Sequence, residues 1–215
     1  MRNLLKDPTL LRTQAYINGE WVDSDSGETF PVRNPATQEV IADVASVGAA
    51  ETRRAIEAAE VAQKPWAALS AMERAVALRK WNDLILENVE DLAIIMTQEQ
   101  GKVLAESRGE IVYAASFIEW FAEEGKRVYG DVIPLPQSGN RGIAIKQPVG
   151  VVAAVTPWNF PSAMLTRKSG PALAVGCAMV AKPAHETPLS MLALAELADR
   201  AGLPAGLLSV VPGAH

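Results

Sequence analysis

The feature that most constrains this chain is the stretch 150–188, GVVAAVTPWNFPSAMLTRKSGPALAVGCAMVAKPAHETP. It opens on an apolar run, 150–155, of the kind that fills a buried strand. The turn Thr156-Pro157-Trp158-Asn159 breaks the run, a helical segment follows, and a second apolar run, 177–181, ends at Lys182-Pro183. Thr187 is the predicted N-cap of a further helix and Pro188 its first residue. Leu189, Leu192, Ala193 and Leu197 then recur at helical spacing until Gly202 stops them, and a third apolar run covers 207–211. Strands alternating with helices predict an α/β fold with a parallel sheet and right-handed crossovers. Ligands of such sheets sit beyond the carboxyl ends of the strands. Asn159 and Lys182 therefore fall where a cofactor or a reacting group is expected.

Upstream, residues 1–14 read as an extended surface leader. Asn18-Gly19 between Tyr16-Ile17 and Trp21-Val22 is a type I′ hairpin signal. A second strand pair is predicted at 29–32 and 40–44, and the whole region reads as a small β meander at an edge. Helices follow. Residues 50–63 present Ala55, Ile56, Ala59 and Ala62 on one face, and Pro65 limits that helix. Ser70-Ala71-Met72-Glu73 is a capping box for a helix with Leu78, Trp81 and Ile85 inward. Asn88 is the predicted cap of a third helix, with Val89, Leu92 and Met96 inward and Gly101 at its end. The span 103–124 is the longest predicted helix, with Leu104, Ile111, Ala115, Ile118 and Ala122 along one stripe. Pro134, Pro136 and the 139–142 loop read as a linker. Residues 141–147 alternate, with Ile143 and Ile145 on one side, which suits a strand outside the main sheet. The last strand then reaches the end of the sequence, so a sheet of two or three strands is expected, small enough that the sequence looks cut rather than finished.

Composition removes several function classes. The net charge of −5 offers no general attraction to phosphate backbones or anionic membranes, and no basic cluster interleaves with aromatics. Nucleic acid and membrane are not expected partners. The N-terminus lacks the apolar core of a signal peptide, and a single cysteine excludes an internal disulfide framework, so the cytoplasm is the default compartment.

The residues that carry chemistry each have a plainer reading beside them. Neither G-x-G-x-x-G nor G-x-x-x-x-G-K-[ST] occurs, so a dinucleotide would bind by another arrangement. Cys177 lies inside an apolar run and reads as a small buried hydrophobe, not a nucleophile. His185 and His215 are too few and too distant for a metal cluster, and no metal is expected. Glu119, Glu123 and Glu124 read as a solvated helix face. Asn159, set between Pro157 and Pro161, has an amide suited to donate to a developing oxyanion; the alternative is an N-cap for a helix starting at Pro161. Lys182 suits ribose hydroxyls or a phosphate, or is a surface lysine at a strand end. Arg167 suits a substrate carboxylate, or faces solvent from its helix.

Taken together, T-P-W-N-F-P, A-K-P, the Thr187-Pro188 cap and A-G-x-P-A-G resemble the aldehyde dehydrogenase superfamily. The resemblance runs from Tyr16-Ile-Asn-Gly-Glu-Trp and Asn34-Pro-Ala-Thr to Val210-Val-Pro-Gly. Glu99-Gln-Gly-Lys102, the run AASFIEWFAEEGKR at 114–127 and Thr166-Arg-Lys168 narrow it to the branch acting on succinate semialdehyde and its relative acting on glutarate semialdehyde. What the resemblance implies is an incomplete Rossmann-like parallel sheet with an N-terminal β meander and helices, divided into a meander and helical part over 1–140, an oligomerisation-type strand over 141–148 and the first part of the cofactor-binding core over 149–215. The catalytic domain, with the nucleophilic cysteine and the water-activating glutamate, is expected beyond position 215, so this chain is expected to be inactive alone. Family members oxidise an aldehyde to its acid with NAD⁺ or NADP⁺ through a cysteine thiohemiacetal, and the complete protein is expected to be a homo-oligomer. By the same resemblance Asn159 is the oxyanion donor. Thr156, Pro157, Trp158, Lys182, Ala184, His185 and Gly213 line the cofactor, and Arg167 holds the distal carboxylate of a small semialdehyde substrate. Two rival readings stand beside this one: a truncated product that contacts intact subunits, and a generic dinucleotide-binding module.

Overall fold

The computed structural model describes residues 1–213; Ala214 and His215 lie outside them. Nine strands and six α-helices occur among the described residues, with short 3-10 turns at Arg2–Leu4, Pro8–Leu10 and Gly125–Arg127. The strands are β1 (Ala15–Ile17), β2 (Glu20–Val22), β3 (Thr29–Arg33), β4 (Val40–Ala45), β5 (Asp131–Pro134), β6 (Arg141–Ala144), β7 (Val151–Val155), β8 (Ala178–Lys182) and β9 (Leu208–Val210). The helices are α1 (Ala49–Ala68), α2 (Ala71–Glu87), α3 (Val89–Gln100), α4 (Leu104–Glu124), α5 (Ala163–Ala174) and α6 (Pro188–Ala201).

The parallel α/β core is present: β7 pairs with β8 from Val151↔Ala178 onward, and β8 pairs with β9 at Met179↔Leu208. The sheet is nevertheless mixed and larger than two or three strands. Its order is β2-β1-β9-β8-β7, because the N-terminal hairpin joins antiparallel to β9 at Tyr16↔Val210. Asn18 and Gly19, both at positive φ (53° and 80°), turn that hairpin as the Asn-Gly pair dictates. The expected single meander is therefore two units, since among the described residues β3 and β4 pair only with each other. Pairing with the last strand satisfies an edge of β9 that would otherwise stand open. The 131–144 segment, read as a linker, contains a hairpin, with Val132 facing Ile143 and both more than two-thirds exposed.

Stepping twice in one direction, from β7 to β8 to β9, right-handed crossovers put α5 and α6 on one face of the sheet. A second helical layer packs on them. Trp81 of α2 is fully buried and its indole N–H donates to Leu194 O of α6 at 3.1 Å. α4 lies close on α5 at Gly170, where a Cβ would stand 3.1 Å from Phe117 O. Nearly every residue of α6 is buried, as fits a helix sandwiched between a sheet and other helices.

Several local expectations change. Residues 1–14, read as an extended surface leader, carry two 3-10 turns and bury Leu5, Leu10 and Leu11 in the core, because these apolar side chains pack inward. α1 runs through Pro65 to Ala68, and its last turn is anchored by the Trp66 indole donating to Leu173 O at 2.8 Å. Tertiary anchoring here overrides the helix-breaking tendency of proline. Ile56, grouped with the inward alanines, is 40% exposed. Asn88 precedes α3 without capping it; its amide instead donates to Leu84 O at the end of α2. Thr187 does hold the N-cap position of α6, but among the described residues its hydroxyl has no partner. Glu99, at the end of α3, takes that role: its two carboxylate oxygens accept the N–H groups of Leu189 and Ser190, each at 2.7 Å.

Glu99 is wholly buried, and burial pushes its carboxyl up to about 8 against the opposing effect of those hydrogen bonds. The folded chain thus keeps a proton that the unfolded chain releases near 4.5. The resulting contribution to stability is fully present below that value and is lost as pH rises through about 8. Urea unfolding of Glu99→Gln, which offers one acceptor oxygen where two amides need one each, is expected to show a loss of about 1–3 kcal/mol and a flatter stability profile between pH 5 and 8. Unchanged stability with an unchanged profile would contradict the assignment of Glu99 as the cap of α6.

Candidate functional site

The site grows from the exits of β7 and β8. Thr156, buried, extends the ladder by donating its N–H to Lys182 O at 3.1 Å. Lys182, at the carboxyl end of β8, donates from Nζ to Gly213 O at 3.0 Å. The structure thus brings Thr156, Lys182 and Gly213 together. An ammonium has three protons, and this bond uses one, so Lys182 retains donors for ribose hydroxyls or phosphate. A groove of about 880 Å³ runs between α1 and the open edge of β7, lined by Gly48, Thr52, Ile56, Val152, Val155 and Lys182 among others. Val155 is 73% exposed there. Pro157, Trp158 and Asn159 are exposed on the following turn, Ala184 is half-buried, and His185 is exposed with its Nδ1 3.3 Å from Glu186 Oε2. None of these five residues lines the groove; of the expected cofactor residues, Lys182 does.

Asn159 does not cap α5. The N-cap position belongs to Ser162, and the helical ladder begins with Met164 N–H donating to Phe160 O at 2.8 Å. Among the described residues the Asn159 side chain makes no hydrogen bond; its carbonyl accepts from Lys102 Nζ at 3.2 Å. The orphan amides at the start of α5 are taken up by Glu110, whose Oε1 accepts from Ser162 N at 3.1 Å and Ala163 N at 3.3 Å. The other end of α5 is equally tied. Leu173 O accepts from Trp66, Ala174 O from Arg74 Nε at 2.9 Å, and Gly176 O from Gln63 Nε2 at 2.9 Å.

Arg167 sits on this doubly anchored helix, half-buried rather than facing open solvent. Its guanidinium carbon lies 5.2 Å from the Phe117 ring centroid and 5.8 Å from that of Tyr113, and Nη2 approaches the Tyr113 hydroxyl at 3.4 Å. Its Nε is buried without a hydrogen-bond partner, and among the described residues no carboxylate pairs with it. Beside it, burial and the Arg167 charge push the Lys168 ammonium down. A smaller pocket of about 310 Å³ is lined by Lys102, Glu106, Gly109, Glu110, Tyr113 and Phe160, so it joins the Asn159 turn to Tyr113, the residue that seats Arg167.

Cys177 is 3% exposed just ahead of β8, with its N–H bonded to Ala172 O. That is the structural position expected of it.

Comparison with known proteins gives this geometry its context. The model of the aldehyde dehydrogenase family matches residues 21–215. The chain belongs to the aldehyde dehydrogenase family. A glutarate-semialdehyde dehydrogenase of Pseudomonas putida is 66% identical over 209 residues, spanning 97% of this chain and 44% of that protein. A succinate-semialdehyde dehydrogenase [NADP(+)] of Escherichia coli is 62% identical, spanning 97% of this chain and 43% of that protein. The crystal structure of an Escherichia coli NADP-dependent enzyme superposes with a TM-score of 0.96 at 61% identity, covering 98% of this chain and 44% of that one. The chain thus spans less than half the length of these relatives. The family's oxidoreductase chemistry and nicotinamide cofactor class agree with the resemblance in the sequence. No helix among the described residues is long and apolar enough to cross a membrane.

Sequence reasoning missed Lys102, Glu110, Tyr113 and Phe117 as parts of the site. One signal was available for Glu110. It falls four residues before Ala114 and eight before Ile118, on the apolar stripe of α4, and an acidic residue there is buried only with partners.

The placement of Cys177 predicts its reactivity. In the folded 215-residue chain its thiol is expected to resist a disulfide reagent such as dithionitrobenzoate, with one thiol per chain appearing in denaturant. Rapid stoichiometric labelling of the folded chain would contradict a buried structural cysteine.

Proposed function

We propose that this chain is the N-terminal part of an NAD(P)⁺-dependent semialdehyde dehydrogenase that oxidises succinate semialdehyde to its acid. The observation that carries the substrate class is Arg167. A guanidinium seated on two aromatic faces, with no carboxylate partner, is a ready site for the distal carboxylate of a semialdehyde. In this reading the aldehyde is attacked by a cysteine thiolate supplied from beyond this chain, a bound nicotinamide cofactor would supply the hydride acceptor, and water releases the acid. Asn159 donates its free amide to the oxyanion of the thiohemiacetal. Lys182, oriented by Gly213 O, donates to the adenosine ribose, with Thr156, Pro157, Trp158, Ala184 and His185 around the cofactor. Residues 1–140 and 149–215 build the cofactor-binding domain, and the strand within 141–148, exposed here, serves assembly of a homo-oligomer. The 215-residue chain alone, whose one cysteine is buried, does not turn over aldehyde.

A second substrate reading is glutarate semialdehyde, favoured by the 66% identity to the Pseudomonas putida enzyme of that name. Both substrates carry the carboxylate that Arg167 addresses.

Two outcomes test this reading in the full-length protein. Arg167→Ala is expected to raise KM for succinate semialdehyde while sparing an uncharged aldehyde of similar length; equal losses on both would make Arg167 a structural residue. For the cofactor, His185 brings no fixed negative charge to the ribose site, and Glu186 is engaged with the His185 imidazole. The enzyme is therefore expected to use NADP⁺ at least as well as NAD⁺, and His185→Glu to shift kcat/KM toward NAD⁺. A wild type that strongly favours NAD⁺, unchanged by the substitution, would contradict the charge argument.

A further inference from the structure

We propose that Lys102 and Glu110 are positioning residues that aim the Asn159 amide, an inference that rests on the reading of Asn159 as the oxyanion donor. Among the described residues the Asn159 side chain has no hydrogen bond of its own, so its direction is set by its backbone. That backbone lies between Pro157 and Pro161, which fix φ but supply no N–H to hold the turn. Two polar tethers replace the missing bonds. Lys102 Nζ donates to Asn159 O at 3.2 Å and stands 4.2 Å over the Phe160 ring, holding two consecutive residues of the turn. Glu110 pairs with Lys102 through Oε2 and accepts the Ser162 and Ala163 amides through Oε1, which holds the far side of the same turn.

The pair is sequestered: the Lys102 side chain is 11% exposed and that of Glu110 1%. In that setting the two charges depend on one another, because either alone would be a desolvated, uncompensated ion. Glu99 shows what a purely structural cap looks like in this fold. It accepts two amides at the head of α6 and, among the described residues, pairs with no lysine. Glu110 does the same for α5 and in addition recruits a lysine whose second bond goes to the carbonyl of Asn159 itself. That extra bond distinguishes a device that aims a side chain from one that only stabilises a helix.

The test is a double-mutant cycle in the full-length enzyme, with folded fraction checked by circular dichroism. Asn159→Ala is expected to lower kcat by about 10²–10³. Lys102→Met is expected to lower kcat by up to about 10², the scale of a displacement near 1 Å, with KM for the cofactor unchanged. Lys102→Gln, whose amide can still donate to Asn159 O, is expected to retain more activity than Lys102→Met, and it carries the test if the Met variant does not fold. In the Asn159→Ala background Lys102→Met should cost little more, since it acts through a group already removed. A folded Lys102→Met enzyme with normal kcat, or losses that multiply in the double variant, would overturn the positioning role while leaving the proposed function intact. Normal kcat in Asn159→Ala would instead overturn the oxyanion reading, and the positioning role with it.

Discussion

Buried carboxylates that accept pairs of backbone amides hold this structure together. Glu99 takes two amides at the start of α6, and Glu110 takes two at the start of α5. Asp91 takes Lys6 N and Asp7 N at 2.9 and 2.8 Å, and Glu51 takes Asp25 N and Gly48 N at 2.8 and 3.1 Å. All four residues are buried to within 4% of full enclosure. A carboxyl group is costly to bury, and an unpaired backbone amide is costly too; joining them offsets both. Each junction also ties segments distant in sequence, with Asp91 reaching across 84 and 85 residues to the N-terminal leader and Glu99 across 90 and 91 to α6.

The consequence for the site is a division of labour. α5 is held at its start by Glu110 and at its end by Gln63, Trp66 and Arg74, so the side chains it presents are carried on an immobilised element. Arg167 then needs no protein carboxylate to keep its place, because the rings of Tyr113 and Phe117 seat it without neutralising it. Asn159 needs no side-chain partner, because its turn is tethered through the carbonyl and through the helix start. Lys182 is held by one carbonyl and keeps its remaining donors. Groups free to meet a ligand sit on a frame whose helix starts are held by buried acidic side chains.

How much of this was legible follows from the range of each interaction. The Asn18-Gly19 hairpin, the Ser70/Glu73 capping box and the glycine stops at Gly101 and Gly202 are set within a few residues, and all are present. The parallel core was readable for the same reason, since apolar runs and turns alternate in order along 150–211. What local pattern could not carry was pairing at long range. The union of β1 with β9 enlarges the sheet, and the Trp66 anchor lets α1 pass Pro65. The caps are the sharpest case. Thr187 and Asn88 have the right residue type at the right place, and the protein satisfies the neighbouring backbone otherwise, through Glu99 for α6 and by turning Asn88 back on α2. Asn159, Lys182 and Arg167 took their expected roles from the family resemblance, because local pattern alone reads Asn159 as a helix cap and Arg167 as a solvent-facing residue and leaves Lys182 evenly balanced. Their supports, Lys102, Glu110, Tyr113 and Phe117, come from another helix and its approach, with only the acidic residue on the stripe of α4 to betray one of them.

Native-state hydrogen exchange tests the central role of the carboxylates most directly. The amides of Leu189, Ser190, Ser162 and Ala163 occupy the first turns of helices or the residues just before them, where exchange is ordinarily fast because no intrahelical partner exists. If Glu99 and Glu110 hold them as described, these four amides will be protected to nearly the level of the interiors of α5 and α6, and will lose that protection selectively in Glu99→Gln and Glu110→Gln. Exchange at the rate of frayed helix ends in the wild-type protein would contradict the account.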